Sequence, residues 1–348
     1  MFHKPLKVGY GAYLGVSTLH PKRVLIVTDG DADGVCAAAI AKTAYPEADI
    51  KFIYSPTDLP PALGSLLGYD LVIVMDLGIN SGQKDEAIEA FQKLSKTSDI
   101  IYIDHHLLPP GVTKGSLACK AMVHRTDVST SELAWEFFRP PPFFDFIAVL
   151  GAVGDYQEKT PQMQKLVEKH SERKIYPEAL FLDWALAVSE DSFKRKVIDE
   201  LTQGKWPLDI YPMEEQASRA VRRRKIVEKY VRENAEKLCE HVMLVREVPF
   251  EATGLAANLV AKIDNTDVGI GSYQRGDYVY LSMRRHKGSS IDLSSLIGEI
   301  ASRCGGGGGG HDAAAGGRVP VGRFDEFLEE LKRALTWLKN TKNDKNRG

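Results

Sequence analysis

Ile100-Ile101-Tyr102-Ile103-Asp104-His105-His106 decides how this chain is read. Four apolar, β-favouring residues end in a carboxylate and two imidazoles. The pattern predicts a buried strand whose C-terminal end carries chemistry, where open α/β sheets place their sites. Three further runs end the same way. Arg23-Val24-Leu25-Ile26-Val27-Thr28 leads into Asp29-Gly30-Asp31-Ala32-Asp33-Gly34, and Leu71-Val72-Ile73-Val74-Met75 leads into Asp76. Ile147 to Gly154 leads into Asp155, either as a strand or as the end of a helix. In a parallel sheet such ends share one edge, so these carboxylates are expected to converge with His105.

A magnitude indicates what gathers there. Two carboxylates about 4 Å apart repel by roughly 4 kcal/mol at an effective dielectric of 20. Several such pairs stay ionised only beside a cation, which points to a divalent metal, and to two of them. Mixed Asp and His donors suit Mn²⁺ or Mg²⁺ better than structural zinc, which favours Cys and His. Asp29-x-Asp31-x-Asp33-Gly34 also resembles the opening of an EF-hand loop. That loop needs Glu at its twelfth position, which here is Ile40.

The 348 residues allow two or three domains, and the 43% that are hydrophobic can bury a sizeable core. A formal charge of −2 excludes a global basic field, so any nucleic acid must be held by a local patch. Cys36, Cys119, Cys239 and Cys304 lie far apart, without a CxxC pair. They are expected to be reduced thiols of a cytoplasmic protein. No signal peptide and no 18-residue apolar segment is evident, so neither secretion nor membrane insertion is expected.

Residues 20–155 alternate short apolar runs with helical patterns. Strands are predicted near 23–28, 50–54, 70–75, 99–103 and 121–124, and helices over 34–45, 82–96 and 131–138. That order implies a parallel sheet built from βαβ units. Ser129-Thr130-Ser131-Glu132 fits a capping box that starts a helix. Residues 161–205 read as wholly helical and carry no identifiable chemistry. Met213 to Leu238 is a long helical pattern with a partial apolar stripe. Arg222-Arg223-Arg224-Lys225 on it is either a solvated charged face or a phosphate or partner contact. From about residue 240 the pattern becomes α+β. Strands are predicted at 242–246, 267–272 and 277–283, and helices at 252–263, 291–303 and 323–338. Gly305 to Gly310 reads either as a flexible linker or as backbone that lets N–H groups close on a phosphate. Lys339 to Gly348 is expected to fray.

Taken together, these motifs resemble the DHH phosphoesterase superfamily. The resemblance rests on Asp29-x-Asp31-x-Asp33-Gly34, Asp76, Asp104-His105-His106 and Gly154-Asp155 in that order. Gly308-Gly309-Gly310-His311-Asp312-Ala313-Ala314-Ala315-Gly316 is similar to the glycine signature of the DHHA1 domain. The implied fold is α/β: an N-terminal DHH domain with a parallel β-sheet flanked by helices, a long connecting helix, and a smaller C-terminal α+β DHHA1 domain. The implied domains are 1–205 (catalytic core 20–155 plus a helical extension), 206–240 (connecting helix), 241–340 (substrate-binding DHHA1) and 341–348 (flexible tail).

By motif, the resemblance implies that Asp29 and Asp31 each bind one metal, that Asp76 bridges both, and that His105 and Asp155 complete the ligand set of the second metal. Asp33 acts directly or through water. Many members carry a histidine four residues before the first aspartate, where this chain has Leu25. That departure argues against a pyrophosphatase and resembles RecJ-like members. The implied cofactors are two divalent cations, Mn²⁺ ahead of Mg²⁺. His106 is implied as a phosphate contact or proton donor, and Asp104 as the group that orients a histidine or as a satisfied core carboxylate. Arg284, in Ser282-Met283-Arg284, would bind substrate with Gly308, Gly309, Gly310 and His311; Arg285 is an equally near alternative.

The implied activity is a metal-dependent exonuclease on single-stranded DNA or RNA, releasing nucleoside monophosphates with 3′→5′ polarity. The resemblance leans toward compact archaeal RecJ-like proteins, because the chain ends within about 30 residues of the glycine motif. They imply a partner among repair or replication proteins such as Hef, and leave a homo-oligomer open. A nano-RNase or pAp phosphatase acting on very short oligonucleotides is the second reading. A catalytically weak adaptor of a repair complex is the third.

Overall fold

The alternation of side chains along β1 (Val24–Thr28) sets the layering. Val24 and Ile26 enter one apolar core, and Leu25 and Val27 enter another. Period-two side chains buried on both faces require helices on both sides. The computed structural model describes residues 21–310 and 312–345.

After β1 come α1 (Ala32–Ala44), β2 (Asp49–Phe52), α2 (Leu59–Gly64), β3 (Leu71–Met75), α3 (Lys84–Leu94), β4 (Asp99–Asp104) and β5 (Ala121–His124). The five strands form one sheet in the order β2-β1-β3-β4-β5. Every pairing is parallel. Asp29, Asp76 and His105 therefore follow strand ends on a single edge. The chain continues through α4 (Thr130–Phe138), α5 (Asp145–Gly154), α6 (Pro161–His170), α7 (Glu172–Leu186), α8 (Asp191–Leu201) and α9 (Met213–Asn234).

The run before Asp155 is helix α5, which corrects the strand alternative. It reads as continuous apolar sequence because its first eight residues are all buried. A Cβ on Gly154 would lie 2.6 Å from Ala32 Cβ, so only glycine lets α5 pack this closely on α1. The connecting helix stops at Asn234, short of Leu238, because Glu236–Cys239 turns into strand β6.

The C-terminal part contains β6 (Glu236–Cys239), β7 (Val242–Val245), α10 (Thr253–Val260), β8 (Val268–Arg275), β9 (Tyr278–Arg285), α11 (Leu293–Arg303), β10 (Gly307–Gly310), β11 (Ala314–Pro320) and α12 (Phe324–Lys345). Its sheet runs β10-β11-β9-β8-β7-β6, with β7 parallel to β8 and the other pairs antiparallel. One feature differs from the sequence expectation: α12 continues into the segment expected to fray. Of the glycine run, Gly307–Gly310 forms edge strand β10, which excludes the flexible-linker alternative there. Glycine has no intrinsic strand preference, so its pairing with β11 confers the strand. The approach is close: a Cβ on Gly308 would lie 2.9 Å from the Gly316 carbonyl oxygen.

Candidate metal centre and substrate cleft

Asp31 is the N-cap of α1, where its Oδ1 accepts the Gly34 N–H at 2.9 Å. The same turn buries Asp33, whose two oxygens accept the N–H groups of Thr130 at 2.6 Å and Ser131 at 2.9 Å. Asp33 therefore also holds the start of α4 against α1. Asp76 follows β3 in a left-handed conformation, φ 54°, which is costly for a residue with a side chain. Its Oδ1 accepts the Thr130 hydroxyl at 3.0 Å.

His105 lies between two acids. Its Nε2 is 3.6 Å from Asp76 Oδ1 and its Nδ1 is 3.6 Å from Asp155 Oδ2. At this edge two sets bring donor atoms within 4.8 Å of one another: Asp76, His105 and His106, and Asp33, His105 and Asp155. Asp29 and Asp31 lie outside both sets but act on them electrostatically. Burial, reinforced by Asp31, pushes Asp29 up to about 7. Burial, reinforced by Asp33 and Asp31, pushes Asp155 up to about 8. Asp76 is driven well above the carboxylate range by burial and by Asp31, Asp33 and Asp29. Buried like charges of this kind are what a cation relieves. Carboxylate and imidazole donors without a thiolate fit a hard divalent ion such as Mn²⁺ or Mg²⁺. Leu25 is buried in the core and offers no ligand.

Asp104 is fully buried. Its Oδ1 lies 2.8 Å from His106 Nδ1, and its Oδ2 accepts the Tyr102 hydroxyl at 2.9 Å. Burial alone would raise Asp104, but His106 and His105 hold it below the usual range. Burial alone would lower His106, but Asp104 outweighs it and lifts the imidazole to about 9. His106 also belongs to a candidate metal set, a part the sequence had not given it.

A cavity of about 450 Å³ separates this edge from the C-terminal sheet, lined by Gly78, Asn80, His106, Ser294 and Gly308 to Gly310 among others. Gly308, Gly309 and Gly310 therefore face His106 across one space. Arg284 does not line it. Arg284 sits beside Gly254 and donates to the Met283 carbonyl at 3.0 Å. Arg285 is engaged elsewhere, with its Nη2 2.9 Å from Asp312 Oδ2. His311 lies outside the described residues.

Three residues at the site escaped the motifs. Asn80 donates its side-chain amide to the Gly308 carbonyl at 2.7 Å. Thr130, in the capping box, reaches Asp76. Lys194 comes from α8, in the region where no chemistry was identified. It is 6% exposed, and its Nζ stands over the Tyr54 ring at 4.5 Å. A Cβ on Gly30 would lie 2.5 Å from that Nζ. No local pattern announces Asn80 or Lys194.

The DHH family N-terminal domain model matches residues 23–167, and the DHHA1 domain model matches residues 241–336. Comparison with curated proteins finds no match. Among solved structures, a DHH domain described as a member of a family of ribosomal proteins superposes with TM-score 0.66 at 17% identity, over 90% of this chain and 86% of that one. RecJ from Thermus thermophilus in complex with Mn²⁺ gives 0.58 at 17% identity, over 90% of this chain and 52% of that one. The pGpG-specific phosphodiesterase PggH from Vibrio cholerae gives 0.53 at 15% identity, over 90% and 99%. At such identities the likeness establishes the fold. With two domain models matched in order, the chain belongs to the DHH/DHHA1 superfamily and is a DHH-family phosphoesterase.

Proposed function

We propose that this phosphoesterase is an exonuclease acting on single-stranded DNA or RNA and releasing nucleoside monophosphates. The observation that carries the reading is a cavity of about 450 Å³ that His106, a member of the acid–histidine cluster, lines opposite Gly308 to Gly310 of the glycine strand. That volume falls in the range of roughly 300–1,000 Å³ typical of small-ligand sites, and it suits one terminal nucleotide.

In this reading Asp29, Asp31, Asp33, Asp76, His105 and Asp155 hold two divalent cations, with Mn²⁺ favoured. Bound there, the pair would activate a water and stabilise charge on the phosphoryl oxygens. Asp76 and Asp155 flank His105 at 3.6 Å on either side. His106, held by Asp104 and protonated at neutral pH, donates to a phosphate oxygen or to the leaving ester oxygen. The backbone of Gly308 to Gly310, with His311 beside it in the chain, would hold a neighbouring phosphate.

The second reading, hydrolysis of very short oligonucleotides, draws support from the Asn80–Gly308 hydrogen bond that bridges the two walls of the cleft. End-labelled DNA and RNA strands from two to about forty nucleotides, incubated with Mn²⁺ and with EDTA, separate the two. Stepwise ladders on long strands support the exonuclease. Cleavage confined to the shortest substrates supports the second reading, and the label position reports polarity. Asp76→Asn should abolish the Mn²⁺-dependent cleavage while thermal unfolding stays cooperative; near-normal turnover would refute the assigned centre.

A further inference from the structure

Helix α9 sorts the basic run into two faces. Arg219, Arg222, Arg223 and Ile226 follow helical spacing and share one of them. The other face pairs internally: Arg224 Nε is 2.8 Å from Glu228, and Lys229 is 3.9 Å from Glu233. Among the described residues, Arg219, Arg222 and Arg223 enter no ion pair, and Arg219 and Arg222 are exposed. Burial, with Arg219 adding to it, holds Arg223 below the ordinary arginine value. These cations crowd one another without an internal anion.

The Arg223 guanidinium lies 5.0 Å above the ring of Phe250, which is 46% exposed. Phe250 and Glu251 both adopt left-handed backbone, φ 60° and 58°, so a strained turn holds this ring outward. Three residues on, Thr253 Oγ1 shares a hydrogen bond with Ser282 Oγ at 2.8 Å. At the next position, a Cβ on Gly254 would lie 3.2 Å from the Arg284 guanidinium. Arg284 enters no ion pair among the described residues. Cations and an aromatic ring therefore run in sequence from α9, across the turn at 249–253, to Arg284. The nearby acids are occupied: Glu251 takes the Tyr273 hydroxyl at 3.1 Å and stands 3.7 Å from Arg275, while Glu247 accepts the Gln274 N–H at 3.4 Å.

We propose that this line is a binding track for single-stranded nucleic acid outside the cleft, with Phe250 as a stacking platform and Arg219, Arg222 and Arg223 as phosphate contacts. It rests on the exonuclease reading and extends it, because it makes long strands better held than dinucleotides. Guanidinium forks match phosphate oxygens, and an exposed ring accepts any base. An acidic protein segment would use the cations but not the ring.

The test uses the full chain in two backgrounds. In Asp76→Asn protein, anisotropy of a labelled 20-nucleotide strand is measured across salt concentrations, with and without Arg219→Gln/Arg222→Gln/Arg223→Gln, and separately with Phe250→Ala. In active protein, dinucleotide hydrolysis is measured for the same variants. The triple variant should weaken 20-mer binding at least tenfold. It should also reduce the slope of log affinity against log salt by about 2, since each neutralised phosphate of a single strand contributes roughly 0.7. Phe250→Ala should weaken binding about tenfold. Dinucleotide turnover should not change. Unaltered 20-mer affinity and salt slope in variants that melt like the parent would overturn the track alone. Equal losses on dinucleotide and 20-mer would also overturn it. Phe250→Ala without effect, together with displacement of the strand by poly-glutamate at matched charge, would overturn the track and assign the surface to an acidic protein. A parent that neither binds nor cleaves nucleic acid overturns the exonuclease reading and the track together.

Discussion

The side-chain amide of Asn80 donates to the carbonyl of Gly308 at 2.7 Å, joining positions 228 residues apart. The Oδ1 of Asn80 accepts the Gly82 N–H at 2.9 Å, so both ends of the amide are engaged and its orientation is set. This contact ties the loop after β3 to the glycine strand, and both residues line the cleft.

Asn80→Ala removes both bonds and leaves the Gly308 carbonyl without this donor. A buried group left unsatisfied costs about 1–3 kcal/mol. The expected outcome is a KM increase of about tenfold with a smaller fall in kcat, and a lower melting temperature. Steady-state kinetics with thermal unfolding checks this; an unchanged KM would show that the contact does not organise the cleft.

Asp104 sets the charge of His106. With Asp104→Asn the half-buried imidazole loses its hydrogen-bonded counter-ion, and its pKa falls from about 9. A protonated His106 is the active form, so activity is lost as pH rises through that pKa. The alkaline limb of kcat/KM should therefore move to lower pH, while Asp155 and Asp31, which still face the ring, limit the shift. A pH–rate profile with an unmoved limb would exclude His106 as the donor.

Lys194 brings a cation within electrostatic reach of Asp29 from a helix more than 160 positions away in sequence. A charge-assisted contact to a phosphate is worth about 1.5–3 kcal/mol. Lys194→Met keeps the length and packing of the side chain and should raise KM by roughly tenfold or more. Kinetics alongside calorimetric Mn²⁺ titration separates substrate contact from an effect on the ions. No change in either would leave Lys194 a packing residue.

The acid cluster makes stability depend on pH when metal is removed. Asp29 and Asp155 have folded pKa values near 7 and 8, above their ordinary 3.8. Between those limits the folded chain binds more protons than the unfolded one, so stability falls as pH rises. In EDTA the melting temperature should decline from about pH 4 to about pH 8. Mn²⁺ should restore it most at the upper end, where the carboxylates are charged. A flat EDTA profile in differential scanning fluorimetry would contradict the clustering.

Much of the sheet could be read from local pattern. Alternating Val, Leu and Ile residues in β1 and β3 announce strands buried on both faces, and each run stops at an aspartate. The helix before Asp155 was ambiguous for a physical reason. A fully buried helix shows no polar face, so its sequence lacks the periodicity that separates helix from strand. The strand within the glycine run was illegible for the opposite reason. It has no side chains to alternate, and only its ladder with β11 makes it a strand.

The order of apolar runs and acidic ends along the chain determined a parallel sheet with carboxylates and His105 on one edge, because strand burial and βαβ connection are local in origin. Tertiary structure alone decided how that edge is furnished. It set Asp33 on the N-terminus of α4, Lys194 over Tyr54, Asn80 against Gly308, and Arg223 above Phe250. Each of these contacts joins residues too distant in sequence for any shared periodicity, so only packing could bring them together.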